Sequence, residues 1–190
     1  MTGRVTGVVV LVVVIALGLA TGCGPHTVIA STRAAGYSKK LSSLFVLSQV
    51  GSEGEVSVER FEKKLTETGE ACGIRIGITN MTRLDLDPDV HLERMKRFAP
   101  EHVLILKQAG GITGAVHWQY YDARLLELPK TMIWRADVQL NRDGMLFGDP
   151  GEILAMDLLR QLQDDRFIPP CAKLVDPEPA APERRPTEPR

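Results

Sequence analysis

Neither sign of charge prevails in this sequence of 190 residues: 23 Lys and Arg stand against 24 Asp and Glu, a formal net charge of −1. The basic excess that nucleic acid or long-range attraction to anionic lipid calls for is missing, so no nucleic-acid partner is expected. Aromatic residues make up only 5% of the chain, so any core must be mainly aliphatic. The four histidines, His26, His91, His102 and His117, form no i,i+4 pair and no HExxH, and Cys72 and Cys171 lack the near neighbours of a zinc site. No GxSxG is present, which removes the usual signature of an esterase-like nucleophile elbow. Asp85, Asp87 and Asp89 alternate like the start of a calcium loop, but Val90 stands where the loop needs Gly and Lys96 where it needs Glu. The one glycine-rich run, Gly110-Gly111-Ile112-Thr113-Gly114, lacks a Lys-Ser/Thr ending and precedes a strand pattern, so it reads as a turn. No metal and no cofactor are expected, and no catalytic residue is assigned.

Long hydrophobic runs are also few; there is one. Residues 1–22 carry a single early cation, Arg4, then an unbroken apolar stretch, then Ala20-Thr21-Gly22 leading into Cys23. The apolar part, residues 5–20, falls short of the roughly 18–20 residues a membrane span requires. These are the regions of a secretory signal, and the small residues before the cysteine resemble the lipobox of bacterial lipoprotein precursors. That resemblance implies cleavage before Cys23 and lipidation of its thiol. The alternative is a signal cleaved elsewhere, with Cys23 an ordinary thiol. Gly24 after the cysteine, in place of Asp, implies by the same resemblance the outer membrane rather than the inner one, facing the periplasm.

Removing the signal leaves one domain's worth of chain. Residues 23–38 are small and polar without sustained periodicity and read as a lipidated tether, with a reach on the order of 50 Å. The globular domain is expected over residues 39–171. Leu44-Phe45-Val46-Leu47 reads as a strand, Ser57 as the N-cap of a helix burying Val58, Phe61, Leu65 and Cys72, and Ile74, Ile76 and Ile78 as a second strand. Asp89 caps a short helix with Leu92, Met95 and Phe98 on its stripe, and a third strand starts at His102. Val116, Trp118 and Tyr120 alternate until the phase slips at Tyr121-Asp122, which predicts a bulge there. Beyond a hairpin at Pro129-Lys130, Met132, Trp134, Ala136, Val138 and Leu140 face a core, while Arg135, Asp137 and Gln139 face water. Asp149-Pro150-Gly151-Glu152 opens a last helix with Ile153, Met156, Leu159 and Leu162 as its stripe. Residues 172–190 are Pro-rich and read as a disordered tail.

The order β-α-β-α-β-β-β-α predicts an α/β (α+β) domain with a mixed sheet of about five strands and helices mainly on one face. Tyr121-Asp122-Ala123, the hairpin, and Thr131-Met132-Ile133-Trp134-Arg135-Ala136 resemble a hairpin of periplasmic lipoproteins with the fold of the TolB N-terminal domain. Curli-secretion lipoproteins and lipoprotein activators of penicillin-binding proteins belong to that group. The resemblance implies a cell-envelope compartment.

If Cys23 takes lipid, Cys72 and Cys171 remain as a pair in an oxidising space, each at the end of a helix, and a disulfide between them is expected. The alternative is a buried Cys72 on its helix stripe and a free thiol at Cys171. A catalytic Cys72 thiolate has little support in such a compartment. The expected function is therefore a non-catalytic, membrane-anchored envelope lipoprotein that binds another envelope protein or copies of itself, with Arg135, Asp137 and Gln139 on the contact surface. The alternative is a periplasmic hydrolase or a carrier of a small apolar ligand, with a pocket near Trp118, Tyr120 and Trp134.

Overall fold

A computed structural model describes residues 26–51, 56–82, 87, 89–112, 118–141 and 148–175. Cys23 with its signal, Asp85, His117 and residues 176–190 lie outside the described residues. The chain forms β1 (His26–Arg33), β2 (Ser43–Ser48), α1 (Val58–Ala71), β3 (Arg75–Asn80), α2 (Asp89–Phe98), β4 (His102–Ile112), β5 (Trp118–Glu127), β6 (Thr131–Asn141) and α3 (Pro150–Asp164). A short 3-10 turn, Ala172–Leu174, closes the described chain.

The sheet is mixed and has six strands in the order β1-β6-β5-β4-β2-β3. β2 pairs in parallel with both β3 and β4, through crossovers carrying α1 and α2, while β4, β5, β6 and β1 run antiparallel in sequence. The α/β class and the element order from β2 onward are as expected; the sixth strand, β1, is the addition.

Within the stretch expected as a tether, residues 26–33 form a strand instead. His26–Arg33 pairs with β6 over its whole length, from His26 opposite Asn141 to Arg33 opposite Trp134. Its residues alternate between exposed and half-buried, because β1 is an edge strand and α3 covers only part of one face. Small and polar side chains suffice there, which hides the strand from a search for apolar alternation. The domain likewise runs past residue 171, since Leu174 is buried.

Two helices, α1 and α3, share one face and close the core over Leu44, Val46, Leu104, Leu106, Tyr121, Ala123, Leu125, Trp134, Ala136 and Val138. Ser57 caps α1 by accepting from the Arg60 amide at 3.3 Å, and Asp149 caps α3 by accepting from Gly151 at 2.9 Å. Glycines set how closely the layers approach. A Cβ on Gly69 of α1 would lie 2.6 Å from Ile76 Cγ1, and one on Gly151 of α3 would lie 2.7 Å from the Ser57 carbonyl oxygen. Helix α2 packs on the opposite face, where the Phe98 ring lies 5.5 Å from that of Phe45 at a tilt of 54°, both against the Cβ-less Gly77. Among the described residues the three long helices thus lie two to one across the sheet.

Side-chain phase differs from expectation in four elements. In α3 the buried stripe is Leu154, Ala155, Leu158, Leu159 and Leu162, with Ile153 and Met156 only half-buried. In α2, His91 is buried against Thr79 at 2.8 Å, and Leu92, placed on the stripe, is 41% exposed. In β5, no bulge occurs at Tyr121-Asp122: Gln119, Tyr121, Ala123 and Leu125 all point to the core, and Tyr121 donates to the buried Gln119 amide oxygen at 2.8 Å. The apparent slip arose because Trp118 and Tyr120, though apolar, belong to the other face. Two register shifts border β5 instead: one in β4 between Gln108 and Gly110, opposite Tyr121 and Tyr120, and one against β6 between Leu125 and Leu126, opposite the Met132-Ile133-Trp134 stretch. The second shift turns Ile133 inward and leaves Met132 exposed, reversing the expected order at the start of β6.

A disulfide joins Cys72, at the C-terminus of α1, to Cys171, just before the 3-10 turn, with Cα atoms 5.5 Å apart across a sequence separation of 99.

Candidate interaction face

Helix α2 covers only the β2–β3 side of its face of the sheet. Across β1, β6 and β5 that face carries no helix among the described residues. The pleat presents His26, Val28, Ala30 and Thr32 from β1; Arg135, Asp137 and Gln139 from β6; and Trp118, Tyr120, Asp122 and Arg124 from β5. The three β6 residues expected at a contact surface are thus placed together, side by side and exposed.

Strand register brings like charges directly opposite one another, Asp122 across from Asp137 and Arg124 across from Arg135. Such pairs repel when alone. Here they are compensated around a quartet. Arg124 Nε donates to Asp122 Oδ1 at 3.1 Å, Arg135 Nε reaches the same oxygen diagonally at 3.5 Å, and Arg135 also sits 3.9 Å from Asp137. The Arg124 guanidinium holds the Asp122 carboxyl below the usual carboxylate range, with Arg135 and Lys107 adding to the effect against partial burial. Asp122 is paired with both guanidiniums, whereas the Asp137 side chain is 73% exposed and has one long contact in the quartet. The outward-directed carboxylate and its neighbouring guanidinium are the groups available to a partner.

Trp118 and Tyr120 flank this quartet, and the His26 ring meets Trp118 edge-on at 5.6 Å. Trp134 is not with them. It is buried on the opposite face, where its indole Nε1 donates to Asp165 Oδ2 at 2.6 Å. An open recess of about 380 Å³ at the end of β1 and the start of β6 is lined by Trp134 with Thr32, Arg33, Met132 and Arg135, and includes neither Trp118 nor Tyr120.

The other polar concentration lies at the far end of the sheet. His102, 1% exposed, shares a hydrogen bond of 2.8 Å between Nε2 and the Tyr37 hydroxyl. Burial pushes its pKa down, with Glu127 and Glu101 opposing. Burial also raises the Tyr37 phenol, and Lys39 pairs with Glu127 at the rim. Tyr37 meets His102 at the start of β4 and Lys39 meets Glu127 at the end of β5, pairings between residues far apart in sequence that no local pattern shows. Among the described residues no group of three or more His, Cys, Asp or Glu is placed to hold a metal ion, and no helix is long and apolar enough to cross a membrane.

No protein-family model matches the chain, and no curated protein matches it in sequence. Among solved structures the chain is similar to the PelC dodecamer from Paraburkholderia phytofirmans, at 15% identity over 68% of this chain and 89% of that one, with a TM-score of 0.45. A point variant of the same dodecamer, in space group C2, gives 13% identity over 68% and 96% of the two chains and the same TM-score. Likeness at that distance carries no conclusion about what this chain does.

Proposed function

We propose that this chain is a non-catalytic lipoprotein of the bacterial cell envelope, anchored through Cys23, that binds another envelope protein or further copies of itself through the open face of β1, β6 and β5. The observation carrying the reading is the exposed half-sheet itself. A sheet face without a helix, bearing aromatics, arginines and an ordered charge quartet, has the composition of a contact surface. The Cys72–Cys171 disulfide fits an oxidising compartment. The lipobox-like Ala20-Thr21-Gly22-Cys23 supplies the anchor, and Gly24 favours the outer membrane.

The test is site-specific photo-crosslinking in intact cells. A photoreactive amino acid in place of Gln139 is expected to give a discrete adduct, weakened by Asp137→Arg, while the same group in place of Lys63 on α1 gives none. Equal adducts from both faces, or none from Gln139, overturn the proposal.

A further inference from the structure

The strand at residues 26–33 changes where the domain stands. Resting on the reading of Cys23 as the lipid anchor, only Gly24 and Pro25 separate the lipidated residue from the first residue of β1. The Cα atoms of Cys23 and His26 can then be at most about 11 Å apart. A 15-residue tether leaves the orientation of the domain free; a two-residue one does not.

Which part of the domain is tied down follows from register. His26 lies opposite Asn141, and Asn141 opposite Trp118, which pairs with Ile112, so the start of β1, the end of β6, the start of β5 and the end of β4 share one edge. At that edge β4 outruns β2. The β2–β4 pairing ends at Ser48 opposite Leu106, and β4 continues through residue 112, about 20 Å further. Trp118 stands at this edge, half-buried against the exposed His26 ring. An indole with an apolar body and a polar N–H suits the headgroup level of a bilayer.

We propose that this His26–Trp118–Asn141 edge rests on the lipid headgroup surface, with the strands of β4, β5, β6 and β1 upright on the membrane. The occupant is the bilayer that holds the anchor, not a second protein. The open face then stands roughly perpendicular to the membrane and is reached from the side. The β5–β6 hairpin, with exposed Leu128 and Met132, is the distal tip, about 30 Å out from the Trp118 level. A partner that approaches along the membrane plane meets Arg135 and Asp137 partway up that wall.

The chain has two tryptophans, one at this edge and one in the core, which makes the test direct. Full-length lipidated protein is reconstituted into vesicles of phosphatidylethanolamine and phosphatidylglycerol containing a headgroup-nitroxide phosphatidylcholine. Trp134→Phe leaves only Trp118, and its emission is expected to fall about twofold, as for an interfacial aromatic. Trp118→Phe leaves only Trp134, whose emission is expected to change little. Should Trp134→Phe fold poorly, the difference between wild type and Trp118→Phe reports the same quantity. Vesicle flotation separates the two layers of the argument. Protein that floats with Trp118 no more quenched than Trp134 overturns the orientation and leaves the anchor standing. Protein that does not float overturns the anchor, and the orientation with it.

Discussion

Trp134 on β6 donates its indole N–H to Asp165 Oδ2 at 2.6 Å, one residue beyond the end of α3. The same oxygen accepts from Ser31 Oγ at 2.6 Å and Gln161 Nε2 at 3.1 Å, so one carboxylate ties β1, β6 and α3 together. Asp165→Ala strands the buried indole N–H without its acceptor and is expected to cost about 2–3 kcal/mol in urea unfolding. Asp165→Asn, which keeps an acceptor, is expected to lose less. Equal losses for the two variants would show that the network does not hold these elements.

The Cys72–Cys171 bridge closes a loop holding β3 through α3. Reduction, or Cys72→Ser combined with Cys171→Ser, is expected to lower stability by about 2–4 kcal/mol, chiefly by freeing the unfolded chain. Denaturant curves with and without reductant measure it. Coincident curves contradict the expectation.

Gly151 sits where α3 meets the first turn of α1, and an added Cβ would press on the Ser57 carbonyl oxygen at 2.7 Å and the Phe61 amide nitrogen at 3.2 Å. Backbone atoms cannot rotate away as a side chain can. Gly151→Ala is expected to destabilise by about 1–3 kcal/mol through overpacking, despite the better helix propensity of alanine. A neutral or stabilising effect in thermal melts goes against the close helix approach.

The buried imidazole of His102 makes stability depend on pH. Its pKa is held below the ordinary 6.5, so the unfolded chain binds the proton first. The contribution is complete above pH 6.5 and is lost as pH falls from there through the depressed folded value. Melting temperature is expected to drop from pH 7.5 towards about pH 5, more steeply in wild type than in His102→Gln. Parallel pH profiles for the two proteins remove His102 as the cause.

Ala20-Thr21-Gly22-Cys23 leads to a further expectation. Labelled palmitate is expected to enter the mature protein, and Cys23→Ala to abolish the label and release a soluble form. Several acyl chains matter here, because one short chain binds a bilayer only marginally. A Cys23→Ala protein that stays labelled and membrane-bound refutes the anchor.

What the sequence made legible follows the depth of burial. β2, with both faces covered by helices, reads as an apolar run, and α1 and α3 announce themselves through Ser57 and Asp149. β1 escaped notice because an edge strand needs little apolar surface, and HTVIASTR offers only Val28 and Ile29. Val28 is in fact the exposed one. In β6 the alternation identified Arg135, Asp137 and Gln139 correctly, yet misplaced Met132, since one extra residue opposite Leu125-Leu126 resets the phase. The charge quartet needed the hairpin register across that irregularity, and the Trp134–Asp165 bond needed the placement of α3 on the sheet. Neither is local in the chain.

Pairing of β1 with β6 also sets an order of events in time. His26 meets Asn141, so the first strand to be made has no partner until more than a hundred further residues have followed. On a chain made N-terminus first, β1 waits without its partner, while β2, α1 and β3 can already assemble from neighbouring sequence. Contacts of such long separation form late. Until β1 arrives, the β6 strand has a free edge, and any protein that meets the chain at that stage meets this edge before the finished fold.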